Sequence, residues 1–140
     1  MLEKALSVAA AAHQGQTGKD GQPRVLHSLR VMMAVHQPQE RVVALLHDVV
    51  EHGDGWTLER LAEEGFTGPV LEAVDALTRR EGEKFADFAR RSAANGLARP
   101  VKIADLRDNL SAVLSHEPSE KWAGTVERYA SALRLIIAGC

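Results

Sequence analysis

Val42–His52 has the sequence VVALLHDVVEH, which is the most informative segment for the fold of this chain. Apolar residues fill most of its positions, which predicts one helix over Glu40–Glu51 that is buried on nearly all sides. His47 and Asp48 interrupt the apolar run. Burial of an imidazole or a carboxylate is unfavourable without a partner. The two side chains therefore either form a structural hydrogen-bonded pair or bind a metal ion.

Apolar residues at helical spacing continue on both sides of this stretch, whereas no alternating strand pattern and no internal repeat occurs. The sequence therefore predicts an all-α fold. Besides Glu40–Glu51, the predicted helices are Leu2–His13, Val25–His36, Thr57–Glu64, Pro69–Thr78, Glu83–Asn95, Leu97–Ser115 and Pro118–Ile137. A polar, glycine-rich loop, Gly15–Arg24, is the most irregular segment, and such loops often carry function.

The length of 140 residues fits a single domain over residues 1–140, and 45% hydrophobic with only 4% aromatic residues favours packed helices. The net charge of −2 gives no indication of nucleic-acid binding. No apolar run approaches the roughly 18 residues that span a bilayer. The single cysteine, Cys140, excludes an intrachain disulfide, and the N-terminus lacks the features of a signal peptide. We therefore expect a cytoplasmic protein without membrane or nucleic-acid partners.

Two further apolar stretches contain an unexplained polar residue. His27 lies in VLHSLRV and Asp105 lies in VKIADLRDNL. Taken alone, each also fits a satisfied core histidine or a charge on a helix face. Together with His47 and Asp48 they supply two imidazoles and two carboxylates from three helices. That set suits Mn²⁺, Zn²⁺ or Fe²⁺ with open positions for water and substrate oxygens, so the sequence predicts a metal site.

Three more polar residues lie one helical turn beyond predicted ligands: Glu51, His52 and Asn109. A carboxylate, an imidazole and an amide beside a metal-bound water could act as general base, general acid and positioning group. Glu51 also fits a solvated helix end, and Asn109 also fits a simple surface residue.

Basic residues accompany the same segments. Lys19 and Arg24 lie in the glycine-rich loop, and Lys102 precedes Asp105 by three residues. Loops of this kind can present backbone N–H groups and cations to phosphate oxygens. A solvated loop is the alternative, because a Gly/Lys loop alone is a weak signal. The three residues are our candidates for substrate binding.

The segments, in this order, resemble the HD superfamily of metal-dependent phosphohydrolases. More narrowly, they resemble the hydrolase domain of Rel/Spo-type alarmone enzymes and their small stand-alone relatives. The matching pieces are AHQGQTGKDGQPRVLH (12–27), ALLHDVVEH (44–52), AVDALTRREGE (73–83) and VKIADLRDNL (101–110). The resemblance implies an HD-domain helical bundle of about six to eight helices.

The resemblance also implies a chemistry. One Mn²⁺ ion would be bound by the four predicted ligands, His27, His47, Asp48 and Asp105. The reaction would be hydrolysis of the 3′-pyrophosphate of (p)ppGpp, which releases pyrophosphate and GDP or GTP. Glu51 matches the catalytic Glu of the family, Asn109 matches its substrate-positioning Asn, and Lys19 matches a basic residue of its substrate loop.

The chain departs from the family pattern around the substrate. A Glu-Asp pair of the family is Glu51–His52 here, so His52 or Asp54 would take the part of that Asp. Gly18 stands where an Arg usually stacks on guanine, and Arg24 replaces a Tyr. Leu110–Ala112 replaces the usual Arg-Thr. These departures leave recognition of guanine open.

Three functions therefore compete. The first is a (p)ppGpp pyrophosphohydrolase, and the second is the same chemistry on a nucleoside monophosphate or on NADPH. The third is a catalytically weak module that binds a nucleotide or a partner, because His52 alters the catalytic pair. The expected partner is a small phosphorylated nucleotide. The apolar end of the chain, ALRLIIAGC (132–140), either forms a homo-oligomer interface or completes the core.

Overall fold

The computed structural model describes residues 1–116, 119 and 121–139, and within these ranges the regular structure is helical, as predicted. The described part contains nine helices: α1 (Leu2–Ala12), α2 (Arg24–Ala34), α3 (Pro38–Leu46), α4 (Val49–His52), α5 (Leu58–Glu63), α6 (Gly68–Ala76), α7 (Phe85–Ala94), α8 (Ala98–Leu114) and α9 (Trp122–Ile137). The predicted start of the last helix at Pro118 lies outside the described residues.

The prediction of one continuous helix over Glu40–Glu51 is wrong. The chain leaves the helix at His47 and Asp48, and a single helical turn, α4, follows. Nδ1 of His47 donates to the carbonyl of Ala44 at 2.6 Å. Such a local side-chain bond competes with the backbone ladder of a helix. The turn places His47 and Asp48 between two helices.

Local sequence explains how these two helices begin and end. Pro38 occupies the first turn of α3, where its missing N–H is not needed, and Gln37 and Glu40 form a capping box. Gly53 follows α4, and a Cβ atom at this position would meet the carbonyl oxygen of Val49 at 2.5 Å. The close approach of the backbone therefore requires glycine after α4.

Helix α3 lies at the centre of the fold, as predicted. Its residues Val42–Leu46 are all buried, and α3 contacts α1, α2, α6 and α8. Leu45 and Leu46 are fully buried, so truncating either to Ala should destabilise the fold by about 2–5 kcal/mol. Because α2 and α8 both pack on α3, the polar residues of these three helices can meet in one place.

A second apolar cluster joins α7, α8 and α9. Leu133 and Ile136 of α9 are buried in it, whereas Ile137 is exposed. The last helix therefore contributes mainly to the core. Within the described residues, none of the helices combines the length and apolarity needed to cross a membrane.

Candidate active site

The imidazoles of His27 and His47 point toward the same spot between α2, α3 and α8. Both side chains are buried, and their ring centres are 5.2 Å apart. Oδ1 of Asp105 lies 2.9 Å from Nε2 of His27 and 3.2 Å from Nε2 of His47. Two imidazoles and a carboxylate from three helices therefore meet within hydrogen-bonding distance.

The other ring nitrogen of each histidine is already engaged. Nδ1 of His27 lies 2.6 Å from Oδ2 of Asp108, and Nδ1 of His47 lies 2.6 Å from the Ala44 carbonyl. Both partners are acceptors, so each Nδ1 carries the proton. In the neutral imidazoles the lone pairs of both Nε2 atoms then face the shared spot, as in metal-binding histidines oriented by a carboxylate or a carbonyl.

Asp48 completes the set of predicted ligands. Its Oδ2 atom lies 3.4 Å from Nε2 of His47 and 3.7 Å from Nε2 of His27. With neutral histidines, these atoms are all acceptors and need a proton or a cation between them. Two nitrogen and two oxygen ligands suit a divalent metal ion. Ligand atoms of His27, His47 and Asp48 lie within 4.8 Å of one another, a spacing that can hold an ion.

The close approach of these groups shifts the pKa values of His27 and Asp105. Burial lowers the pKa of His27, but the hydrogen bonds to Asp105 and Asp108 outweigh burial and raise it to about 10. Burial raises the pKa of Asp105, but the hydrogen bonds from His27 and His47 hold it well below its usual range. In the protein alone, the extra proton on the His27 imidazole therefore offsets negative charge of the neighbouring carboxylates. A bound cation would otherwise offset that charge.

Glu51 and His52 form a second, more accessible pair. Oε2 of Glu51 lies 2.9 Å from Nε2 of His52, and both side chains are about one third exposed. Oε1 of Glu51 accepts the backbone N–H of Arg79 at 2.9 Å. The hydrogen bond to His52 lowers the pKa of Glu51 against the effect of burial, and the Arg79 N–H lowers it further. Glu51 is therefore held in place and ionised.

A cavity of about 210 Å³ opens above these groups. All ten site residues predicted from the sequence line it: Lys19, Arg24, His27, His47, Asp48, Glu51, His52, Lys102, Asp105 and Asn109. Asp54, the alternative to His52, is not among the lining residues. The cavity brings the predicted residues together, and their chemical roles stay predictions.

Three of these residues contact the predicted ligands directly. Lys102 Nζ lies 3.5 Å from Asp105 Oδ2, although the lysine side chain is almost fully buried. The Asn109 amide donates to Asp105 Oδ1 at 3.3 Å, so Asn109 positions this carboxylate. Nη1 of Arg24 lies 3.9 Å from Oδ2 of Asp48.

Comparisons with known proteins find relatives of similar sequence, although no protein-family model matches the chain. The GTP pyrophosphokinase of Streptomyces coelicolor is 32% identical over 145 residues, which cover 92% of this chain and 17% of the relative. The guanosine-3′,5′-bis(diphosphate) 3′-pyrophosphohydrolase of Vibrio cholerae is 35% identical over 98 residues, which cover 67% of this chain and 14% of the relative. The chain thus spans less than a fifth of the length of these curated relatives.

A comparison with solved structures finds the same fold. A solved structure of a metazoan ortholog of SpoT, a protein described as hydrolysing ppGpp, matches with a TM-score of 0.74 at 24% identity. The match covers 98% of this chain and 93% of that one. The chain is an HD-type, Rel/Spo hydrolase-like domain. Its helical fold agrees with that of the matched structure.

In this Rel/Spo hydrolase-like domain, Asp108 and Arg30 support the site, and neither was predicted from the sequence. Arg30 Nε donates to Asp108 Oδ1 at 2.7 Å, and its Nη2 donates to Asp20 of the loop at 3.0 Å. Asp108 thus joins His27 to the glycine-rich loop. The available signal was spacing, since Arg30 and Asp108 each lie three residues after a predicted ligand.

The glycine-rich loop of the Rel/Spo hydrolase-like domain is anchored at both ends. Gln16 Nε2 donates to the carbonyl of His52 at 2.7 Å, and the backbone N–H of Arg24 donates to the carbonyl of Gln16 at 2.9 Å. Between them, Gly21 has a φ of 76°, which favours glycine. These bonds hold the loop against the end of α4.

The far wall of the cavity comes from residues that were not among the site residues predicted from the sequence. These are Leu77, Arg79, Phe85, Phe88, Leu106, Ala112, Arg128 and Tyr129. They belong mainly to α7, α8 and α9 and meet only through tertiary packing. The wall combines apolar rings with cations, which suits an organic anion.

Proposed function

We propose that the chain is a metal-dependent phosphohydrolase that removes the 3′-pyrophosphate from (p)ppGpp-type nucleotides. The observation that carries the proposal is the convergence of two Nε2 atoms and two carboxylates at the base of a cation-lined cavity. The V. cholerae relative, named a 3′-pyrophosphohydrolase, and the SpoT ortholog described as hydrolysing ppGpp support the choice of substrate.

We propose Mn²⁺ as the ion, held by the four predicted ligands His27, His47, Asp48 and Asp105. A mixed set of imidazole nitrogens and carboxylate oxygens suits Mn²⁺ and does not require a softer thiophilic metal. When bound, the ion supplies Lewis-acid stabilisation of the charge that develops during pyrophosphate release. The surrounding Asp108 and Ala44 acceptors keep both histidines in the tautomer that this role needs.

Glu51 is our candidate for the general base. Its carboxylate is ionised and is held by the backbone N–H of Arg79, so one oxygen is free to act with His52. Glu51 accepts a proton from the attacking water, and His52 passes that proton to solvent through its exposed side. His52 thereby takes the part that an Asp plays in related enzymes.

The cations of the cavity bind the phosphate oxygens of the substrate. Lys19 approaches from the loop and Arg24 from the first turn of α2, and Lys102 lies beside Asp105 at the base. Asn109 acts on the substrate through its position next to Asp105. Charge-assisted hydrogen bonds of this kind are stronger than neutral ones and orient the scissile bond.

A second candidate function keeps the chemistry and changes the substrate. Gly18 lines the cavity at the position where related enzymes place a stacking Arg, so this chain presents no side chain there. Weaker selection for guanine favours NADPH or a nucleoside monophosphate as an alternative substrate. The changed Glu51–His52 pair favours the third possibility, a catalytically weak nucleotide-binding module.

A substrate panel separates these candidates. Chelator-stripped protein is supplied with Mn²⁺ and then with (p)ppGpp, nucleoside monophosphates or NADPH, and the release of pyrophosphate or phosphate is measured. We expect pyrophosphate release from (p)ppGpp and none in the Asp48→Ala control. If phosphate is released only from a nucleoside monophosphate or from NADPH, that compound would replace (p)ppGpp as the proposed substrate. If no substrate is hydrolysed but a nucleotide still binds, the result would support the third candidate, a catalytically weak nucleotide-binding module.

We also propose a cytoplasmic setting, a single domain over residues 1–140 and a small-molecule nucleotide as the partner. The exposed Ile137 at the end of α9 is the feature that supports self-association. Light scattering measures the oligomeric state. A second copy in the particle would support the homo-oligomer, and a strict monomer would remove it from the proposal.

A further inference from the structure

The cations that line the cavity fall into two groups. The first three lie within 4.0 Å of carboxylate oxygens around the predicted metal ligands: Arg24, Arg30 and Lys102. The other three have no carboxylate oxygen within that distance among the residues the structure describes: Lys19, Arg79 and Arg128. The second group therefore carries positive charge that the described part of the protein does not balance.

The guanidinium of Arg79 already donates hydrogen bonds within the protein. Its Nε and Nη2 atoms donate to the carbonyl of Glu83 at 3.1 and 2.9 Å. Lys19 and Arg128 have no comparable bonds within the described ranges. They come from the glycine-rich loop and from α9, two segments far apart in sequence. Two such cations on one cavity wall attract an anion from solution.

Both of these cations lie near the same aromatic ring, that of Tyr129. The Arg128 guanidinium lies 5.0 Å from the ring centre of Phe85 and 5.3 Å from that of Tyr129. Lys19 Nζ lies 5.8 Å from the same Tyr129 ring. Contact with a ring face positions a guanidinium and leaves its N–H donors available. Those donors can bind a phosphate group in bidentate fashion.

In the cluster of Lys19, Phe85, Arg128 and Tyr129, the two cations are exposed, whereas the Tyr129 ring beneath them is buried. Lys102 is buried at the base of the cavity and lies 3.9 Å above the ring of Phe88. Phe85 lies one turn earlier on α7 and is only half-buried, and Arg128 beside it is exposed. Exposure of the side chains therefore increases from Lys102, at the base of the cavity, to Arg128, at its mouth.

We propose that Arg128 is a specificity-determining residue that, together with Lys19, binds a second phosphate group of the substrate. Among the candidate substrates named above, Arg128 would then favour those phosphorylated at two positions, and nucleoside monophosphates would be poor substrates. The proposal rests on the proposed function, because the first phosphate is the one that reacts beside Asp48 and Asp105. Phe85 and Tyr129 orient the guanidinium and contact the nucleotide between the two phosphates.

The test compares Arg128→Gln with a matched control, Arg134→Gln. Arg134 is on the same helix, is exposed, pairs with Glu127 at 2.7 Å and does not line the cavity. The substrates are ppGpp and guanosine 3′-diphosphate, which lacks the 5′ phosphates. We expect Arg128→Gln to raise KM for ppGpp by about tenfold, the loss of one charge-assisted hydrogen bond. Its kcat, and its KM for guanosine 3′-diphosphate, should stay within about twofold of wild type.

Other outcomes overturn the proposal. An equal rise in KM for both substrates, a fall in kcat without a change in KM, or the same effect in Arg134→Gln would each remove Arg128 from recognition of a second phosphate. Arg128→Lys keeps the charge and should recover part of the lost affinity. If NADPH is the compound turned over, adenosine 2′-monophosphate serves as its singly phosphorylated counterpart.

Failure of the proposed function gives a different result. If neither nucleotide is hydrolysed, binding of guanosine 5′-diphosphate is measured by calorimetry with wild type and Arg128→Gln. Weaker binding by about tenfold in the variant supports the phosphate site without the hydrolase. Equal binding by both proteins overturns the site.

Discussion

Removal of the Asp108 carboxylate is expected to weaken metal binding, although Asp108 is not itself a predicted ligand. Asp108 Oδ2 accepts the Nδ1 proton of His27 at 2.6 Å. That bond fixes the tautomer in which Nε2 faces Asp48 and Asp105. Without it, the ring can rotate or place its proton on Nε2, and either change removes a ligand atom from the set.

The size of the effect follows from the bond that is lost. A hydrogen bond to a charged group contributes about 1.5–3 kcal/mol, and about 1.4 kcal/mol corresponds to a tenfold change in an equilibrium constant. Loss of a carboxylate behind a metal-binding histidine typically weakens metal affinity by about 10–100-fold, in the same range. Asp108→Ala should therefore lower the affinity for Mn²⁺ by about 10–100-fold. Asp108→Asn keeps an acceptor oxygen and should lose less.

The assay is a competitive titration against a chromogenic chelator, with thermal melting to confirm that the variants fold. Arg30 keeps its bond to Asp20 when Asp108 is replaced, so the loop retains one anchor. Asp75→Ala is the matched control, since Asp75 pairs with Arg80 at 3.4 Å on the surface. Unchanged affinity in Asp108→Ala, or an equal loss in Asp75→Ala, would refute the reasoning.

Three further outcomes test the ligands and the proton-transfer pair. Asp48→Ala removes a predicted ligand and should abolish both metal binding and hydrolysis, measured by metal analysis and product release; a fully active variant would contradict the site. Glu51→Gln should retain the metal and lose about 10²–10⁴-fold in rate, because the general base is gone, and an unchanged rate would exclude Glu51 from that role. For His27, the folded pKa of about 10 is raised above the unfolded value of about 6.5, so its stabilisation is complete below about pH 6.5 and is lost as the pH rises through about 10. The melting temperature of the metal-free protein should therefore fall as the pH rises across this window. In His27→Gln, the decrease in melting temperature over the same pH range should be smaller.

Most of the fold could be predicted from the spacing of apolar residues. Helices such as α5, which begins after the capping residue Thr57, lie within a few residues of their predicted positions. The break between α3 and α4 could not be predicted in this way. It depends on the side chain of His47, which bonds to Ala44 in the folded chain, whereas the surrounding sequence is apolar on both sides.

The base of the site could also be predicted, because a polar residue in an apolar helix needs a partner. That argument applied to His27 and Asp105, and both lie in the cavity. It could not find Asp108 or Arg30, because a charged residue on a partly exposed helix face looks like any solvated side chain. Arg128 was missed for a related reason, since its place in the cavity depends on how α9 packs against α7 and α8.

Anomalous diffraction at the manganese edge, from crystals grown with Mn²⁺, tests the central claim most directly. The account predicts one anomalous peak per chain, in contact with His27, His47, Asp48 and Asp105. A peak elsewhere, or none at saturating Mn²⁺, would contradict it.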